Sequence, residues 1–186
     1  PFVLLRLLWR GLRARGYWRR WGERFGFIPP FEGVAPIWVH AVSVGEVQAA
    51  VPLLRALLKQ YPDVPLLVTT TTPTGSEQLR SLFESRVAHV YMPYDLPGAV
   101  ARFLARARPR LALVMETEIW PNLYHDCASR GIPALLVNAR LSARSAAGYA
   151  RLRRLTAATL RCLHGIAAQT RADAERLIEL GADPGR

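Results

Sequence analysis

Ile37-Trp38-Val39-His40-Ala41-Val42, then Ser43-Val44-Gly45-Glu46, then Val47 to Tyr61, reads as strand, turn and helix. The first six residues form an apolar run of strand length, and the last stretch has the spacing of an amphipathic helix. In an open α/β sheet, ligands sit outside the carboxyl ends of the strands, at turns of this kind. The Glu46 carboxylate is therefore a candidate for chemistry. The spacing has a second reading. Ser43-x-x-Glu46 fits a capping box, in which Ser43 accepts from the Glu46 N–H and Glu46 reaches back to the Ser43 N–H. Spacing alone leaves both readings open.

Outward from this unit the pattern repeats. Apolar runs at 37–42, 65–71, 87–92, 110–115, 133–138 and 164–169 read as strands. Helical patterns fall near 45–60, 74–84, 97–107, 120–130, 148–161 and 171–181. Strict alternation predicts an α/β fold: a Rossmann-like parallel sheet with helices on both faces. There is no internal repeat, low-complexity segment or long linker, so residues 31–186 read as one domain.

The other strand ends carry further candidates. Thr72-Pro73-Thr74-Gly75 follows the second strand, with Thr72 as a cap and Pro73 at the first helical position. Threonine hydroxyls and free N–H groups at a helix start also suit an anion. Asp95, after Met92-Pro93-Tyr94, reads as a cap or turn residue. Glu116-Thr117-Glu118-Ile119-Trp120-Pro121 follows the fourth strand. If the backbone stays extended, the two glutamates share a side. Like charges there are a poor choice for stability alone, although a helix N-terminus also favours one of them. Asn138-Ala139-Arg140-Leu141-Ser142 follows the fifth strand, with Arg144 and Ser145 beyond. Arginines and serines there fit a phosphate or carboxylate, or a solvated loop whose arginines cap carbonyls. Thr170-x-x-Asp173 resembles a cap.

Composition sets the remaining bounds. The chain has 186 residues, is 51% hydrophobic and carries a net charge of +11. Seven arginines (Arg6, Arg10, Arg13, Arg15, Arg19, Arg20, Arg24) stand against Glu23 within residues 1–30, giving that segment +6 and leaving +5 for the rest. Its leucines and tryptophans lie among those arginines. No run reaches the roughly 18 apolar residues of a membrane span, and the order is not that of a secretory signal. Residues 1–30 read as a basic membrane-associating segment, an interfacial helix or the flank of a span, or else as a basic helix packed on the domain. Cys127 and Cys162 form no disulfide framework or metal spacing and read as buried thiols. The histidines make no H-E-x-x-H pattern, so neither a metal nor another cofactor is expected. Gly45 alone is no dinucleotide fingerprint. The chain starts at Pro1 and ends just past a helix, so a fragment of a longer protein is expected.

Taken in order, His40-Ala-Val-Ser-Val-Gly-Glu46, Thr69–Gly75, Met115-Glu-Thr-Glu-Ile-Trp-Pro-Asn122 and Asn138-Ala-Arg-Leu-Ser142 resemble the Kdo (3-deoxy-D-manno-octulosonic acid) transferases. So does Tyr17-Trp-Arg-Arg-Trp-Gly-Glu-Arg-Phe-Gly26. The resemblance covers essentially the whole chain, as the N-terminal half of a two-domain GT-B glycosyltransferase. It implies transfer of Kdo from CMP-Kdo to a lipid A precursor at the cytoplasmic face of the inner membrane, in lipopolysaccharide synthesis. It implies Glu46 as general base, Glu116 or Glu118 in the cleft, and Asn138 and Arg140 as part of its wall; Ser43, Gly45, Thr72, Thr74, Gly75, Trp120 and Ser142 are the further substrate-binding candidates. Most of the donor site would lie on a C-terminal domain absent from this chain, and the fragment is expected to be inactive alone. Ala143 stands where the family pattern carries an acid. Two other readings fit part of the sequence: a noncatalytic membrane- or RNA-binding module, and another GT-B nucleotide-sugar enzyme such as an epimerase. Acids among the strand-end motifs argue against nucleic acid.

Overall fold

The computed structural model describes residues 20–186. Its strands are β1 (Ile37–His40), β2 (Leu66–Thr70), β3 (Ala88–Tyr91), β4 (Leu111–Met115), β5 (Ala134–Ala139) and β6 (Gly165–Ala168). They form one sheet in the order β3-β2-β1-β4-β5-β6, every pair parallel. The helices are α1 (Val44–Gln60), α2 (Pro73–Phe83), α3 (Pro97–Ala107), α4 (Pro121–Ser129), α5 (Ala143–Ala150), α6 (Arg153–Arg161) and α7 (Arg171–Glu179). The expected Rossmann-like α/β fold is the observed one.

Strand period two divides the core. Ile37 and Val39 face one side with Leu66, Val68, Leu113 and Met115, against Val47, Ala50 and Leu54 of α1 and Leu79 and Phe83 of α2. Trp38 faces the other side with Leu67, Val114 and Leu136, against Phe103 of α3, Tyr124 of α4, Leu160 of α6 and Leu177 of α7. A sheet covered on both faces has apolar strands throughout rather than alternating ones, which is why the apolar runs mark the strands well.

Three local expectations change. The single helix expected over 148–161 is two helices, α5 and α6, separated near Leu152. No α5 side chain is fully buried, and only Ala146 and Tyr149 pack part-buried on the core, so its apolar stripe is short. The fifth strand shifts register between Val137 and Ala139, around Asn138 at φ 58°. Cys127 is buried as expected, but Cys162 is half-exposed.

Residues 1–19 of the basic N-terminal segment lie outside the described residues. Its later part folds onto the domain. Trp21–Phe25 is a short 3-10 helix. Arg20 pairs with Glu23 at 2.6 Å and donates to the His89 carbonyl. Arg24 is buried, donates to the Thr71 carbonyl and lies over the Tyr91 ring. Gly26 (φ 81°) lets the chain pass against α3: a Cβ there would sit 2.2 Å from the Ala99 carbonyl oxygen. Among the described residues no helix is long and apolar enough to cross a membrane.

Candidate functional site

The strand order reverses direction between β1 and β4. From β1 the chain winds outward to β2 and β3, then returns to β4 and winds the other way. The connections leaving β1 and β4 diverge onto opposite faces and open a crevice at their carboxyl ends. Glu46 and the Glu116–Trp120 loop both lie there.

Glu46 occupies the first turn of α1 and is 8% exposed. Its Oε2 accepts from the Val42 N–H at 2.8 Å, and its Oε1 accepts from the Ser43 hydroxyl at 3.3 Å. This is not the expected capping box. Ser43 sits at the cap position, but its side chain caps no helix N–H. The hydroxyl instead donates to the carboxylate, since a hydrogen bond to an ionised acceptor is the stronger of its options. The glutamate reaches one residue further back than the box requires, to Val42.

Beyond β4 the backbone turns at once. Glu116 has φ 57°, a left-handed conformation that non-glycine residues rarely adopt. The extended geometry assumed for Glu116 and Glu118 is therefore absent, yet both charges act on Glu46. The Glu46 pKa is raised from 4.5 to about 7, first by burial, against the opposing Val42 N–H, and then by Glu116 and Glu118. Glu118 is itself raised by burial, opposed by its hydrogen bond from Trp120. The Trp120 indole N–H donates to Glu118 Oε2 at 2.7 Å, and the Tyr124 hydroxyl donates to the Glu118 carbonyl at 2.6 Å. A carboxylate titrating near neutrality beside two others, in a crevice, is suited to take up and release a proton.

Beneath the loop, His40 packs edge-to-face on Trp120 with ring centroids 5.8 Å apart. Its Nδ1 lies 2.8 Å from Thr69 Oγ1 and 3.1 Å from the Thr69 carbonyl. A carbonyl only accepts, so the Nδ1 proton is assigned by that bond. Burial holds the pKa down at about 4, and the ring is a neutral support rather than a cation. Among the described residues no group of His, Cys, Asp and Glu is arranged to hold a metal ion.

The remaining candidates divide by what holds them. Thr72 caps α2, accepting from the Gly75 N–H at 3.1 Å, and its hydroxyl lies 3.4 Å from the Val42 carbonyl. The Thr71 N–H and hydroxyl also donate to that carbonyl, so the turns after β1 and β2 are tied together. A Cβ on Gly75 would sit 2.9 Å from Thr72 Oγ1 and 3.4 Å from the Ser43 carbonyl carbon; close packing accounts for that glycine. Gly45 is exposed, with Ser43 Oγ 4.0 Å from a Cβ placed there, and Thr74 is exposed. Asn138 is half-buried next to β4, and the Arg140 carbonyl accepts from Thr117 at 2.6 Å. Ser142 caps α5 through the Ser145 N–H. The loop after β5 thus joins the loop after β4, although the Arg140 side chain is exposed.

Asp95 has a role not legible locally. Its carboxylate accepts from the backbone N–H of Asn122 at 3.1 Å and of Leu123 at 2.8 Å. It caps α4, 27 residues downstream, and so fixes where Trp120 emerges. Asp173 ties α7 to the loop after β5 in the same way, accepting from the Leu141 N–H at 2.8 Å. The Thr170 hydroxyl, that N–H and Arg176 hold its pKa down.

The fold and this crevice define a doubly wound α/β domain with an acidic candidate site at its switch point. The family model described as "3-Deoxy-D-manno-octulosonic-acid transferase (kdotransferase)" matches residues 19–186, and the chain belongs to that family. It is 41% identical over 186 residues to the 3-deoxy-D-manno-octulosonic acid transferase of Haemophilus influenzae, covering 97% of this chain and 43% of that protein. It is 41% identical over 193 residues to the protein of the same name from Bordetella pertussis, covering 98% and 44%. The chain thus spans less than half the length of these relatives. Its fold is similar to UDP-GlcNAc 2-epimerase from Neisseria meningitidis bound to UDP-GlcNAc, with TM-score 0.56 and 15% identity over 80% of this chain and 44% of that one.

Proposed function

We propose that the chain is the acceptor-side half of a GT-B Kdo transferase that moves Kdo from CMP-Kdo to a lipid A precursor, with Glu46 as general base. The observation that carries this reading is the Glu46 carboxylate at the switch point, with its pKa raised to about 7. An acceptor hydroxyl is a poor nucleophile. Glu46 takes its proton as the oxygen bonds to the anomeric carbon of Kdo, while the bond from that carbon to the CMP oxygen breaks. A single displacement inverts the anomeric centre, and CMP leaves with the electron pair. Burial, with Glu116 and Glu118 adding to it, keeps Glu46 basic enough to accept the proton near neutral pH. Trp120 and Tyr124 fix Glu118, and His40 supports Trp120. Ser43, Gly45, Thr72, Thr74, Asn138, Arg140 and Ser142 are proposed to line the acceptor side, and Gly75 to hold α2 against it. The donor nucleotide is held mostly by a second domain outside this chain, without which turnover is not expected.

The basic segment, residues 1–30, is proposed to bring the domain to the cytoplasmic face of the inner membrane through its arginines before Arg20, since Arg20 and Arg24 are bound to the domain. Each arginine near an anionic surface contributes about 1 kcal/mol. The test of the activity is product analysis with the chain joined to its C-terminal half. CMP-Kdo and a lipid A precursor should yield Kdo-lipid and CMP. Release of CMP with no Kdo on the lipid, or epimerisation of a UDP-sugar in its place, would rule the reading out.

A further inference from the structure

Glu46 is tied to the sheet edge by hydrogen bonds that the proposed reaction does not use. The 3-10 helix Trp21–Phe25 lies beside the edge strand β3. There the Glu23 carboxylate accepts from the Tyr91 N–H at 2.7 Å, and the Arg24 carbonyl accepts from the Tyr94 N–H at 2.8 Å. Arg24 itself runs inward. It is 3% exposed, with its guanidinium 4.4 Å from the centre of the Tyr91 ring. Its Nη2 donates to the Thr71 carbonyl at 2.9 Å. The Thr71 N–H and hydroxyl both donate to the Val42 carbonyl, at 3.1 and 3.0 Å. The Val42 N–H donates to Glu46 Oε2 at 2.8 Å. Three hydrogen-bonded steps therefore join Arg24 to the carboxylate. A second arm ends on the same turn. Arg20 donates to His89 Nδ1 at 3.0 Å, which puts the ring proton on Nε2, 2.9 Å from Thr70 Oγ1; that hydroxyl donates to the Thr72 carbonyl at 3.3 Å. Burying a guanidinium is costly, and an apolar side chain would fill the space against Tyr91 at less cost. The charge is used on a backbone carbonyl of the turn, where a charged donor makes a stronger bond than a neutral one.

We infer that Arg24 is a positioning residue for Glu46: it holds the Thr71 carbonyl, and through Thr71 it keeps the Val42 N–H on the carboxylate. The placement follows from these bonds alone; its bearing on turnover rests on the proposed role of Glu46 as base. Anchoring the N-terminal segment does not require the bond to Thr71. Glu23, the Arg24 carbonyl and Arg102, which donates to the Phe25 carbonyl at 3.0 Å, already hold it. The charges acting on Glu46 are those of Glu116 and Glu118 in the loop after β4. The turn after β2, Thr70 to Thr74, carries no charge. The Val42 N–H favours the ionised carboxylate, so its withdrawal raises the Glu46 pKa from its value of about 7.

The test is a carbon-13 NMR titration of the Glu46 side-chain carboxyl in the 186-residue chain. Arg24→Met should raise its pKa by about 0.5–1, the share of one weakened backbone N–H bond. Thr71→Val removes the hydroxyl donor without changing any charge, and should shift the carboxyl the same way by less. Arg102→Gln loosens the same segment from α3 without touching the turn, and should leave the carboxyl where it is. In the enzyme with both halves, the ascending limb of kcat/KM should follow, so that kcat/KM at pH 6 falls about three- to tenfold in Arg24→Met and recovers at alkaline pH. An unmoved Glu46 carboxyl in Arg24→Met would overturn the inference, and so would an equal shift in Arg102→Gln. If Arg24→Met does not fold, Thr71→Val decides, because an unmoved carboxyl there overturns the inference as well. A carboxyl that shifts while the kcat/KM limb stays put supports the Arg24 link and counts against Glu46 as the base.

Discussion

Glu46→Gln should make the folded chain more stable above neutral pH while removing the proposed base. The carboxyl ionises at about 7 in the folded chain against 4.5 ordinarily. A group whose folded pKa is raised binds more protons in the native state than in the unfolded one between those values. Stability therefore falls as pH rises from about 4.5 to about 7, and the loss persists above that window. The gap corresponds to about 3 kcal/mol, present almost fully at pH 8 and nearly absent at pH 4.5. Glutamine keeps the shape: its carbonyl oxygen can accept from the Val42 N–H, and its amide can donate to Ser43 Oγ. It accepts more weakly than a carboxylate, so a net gain of about 1–3 kcal/mol is expected at pH 8. Denaturant unfolding of both chains at the two pH values measures it. A variant less stable than wild type at pH 8 would refute the reasoning, because the ionised carboxylate would then be a stabilising cap.

Three further outcomes follow from the same geometry. Glu116→Gln removes a charge that raises the Glu46 pKa, so the ascending limb of the pH–rate profile of the two-domain enzyme should move to lower pH; an unmoved limb means Glu116 does not act on the base. Asp95→Ala leaves the Asn122 and Leu123 N–H groups uncapped and should cost about 1–2 kcal/mol in denaturant unfolding, whereas an unchanged midpoint would show that α4 needs no remote cap. Calorimetric titration of the 186-residue chain with CMP-Kdo should show no tight binding, and micromolar affinity would place the donor site in this half.

Much of the fold was legible because a sheet buried on both faces writes its strands as apolar runs. Ile37–His40 and Leu66–Thr70 lie inside the expected runs for that reason. Helix α5 was not legible as a separate element: only Ala146 and Tyr149 pack part-buried on the core, too short a stripe to mark it, and Gly148 gave no clear stop. The site was legible as a set of strand ends, because the carboxyl edge of a parallel sheet is where such loops converge. Its internal geometry was not. The left-handed turn at Glu116 cannot be read from a glutamate, and Asp95 caps a helix 27 residues away, where local spacing is silent. The backbone N–H that Glu46 accepts from was one residue off, that of Val42 in place of Ser43. An averaged charge also hides local bias: residues 31–186 carry +5 together, while residues 127–172 alone carry +8.

The most direct measurement of the central claim is the turnover of Glu46→Gln in the enzyme with both halves present, supplied with CMP-Kdo and a lipid A precursor. Loss of the general base predicts a fall of about 10²–10⁴-fold, with acceptor binding retained. Ser43→Ala, which removes a donor to the carboxylate but leaves the base, should fall far less. Near-normal turnover by Glu46→Gln would contradict the account and pass the role to Glu116 or Glu118.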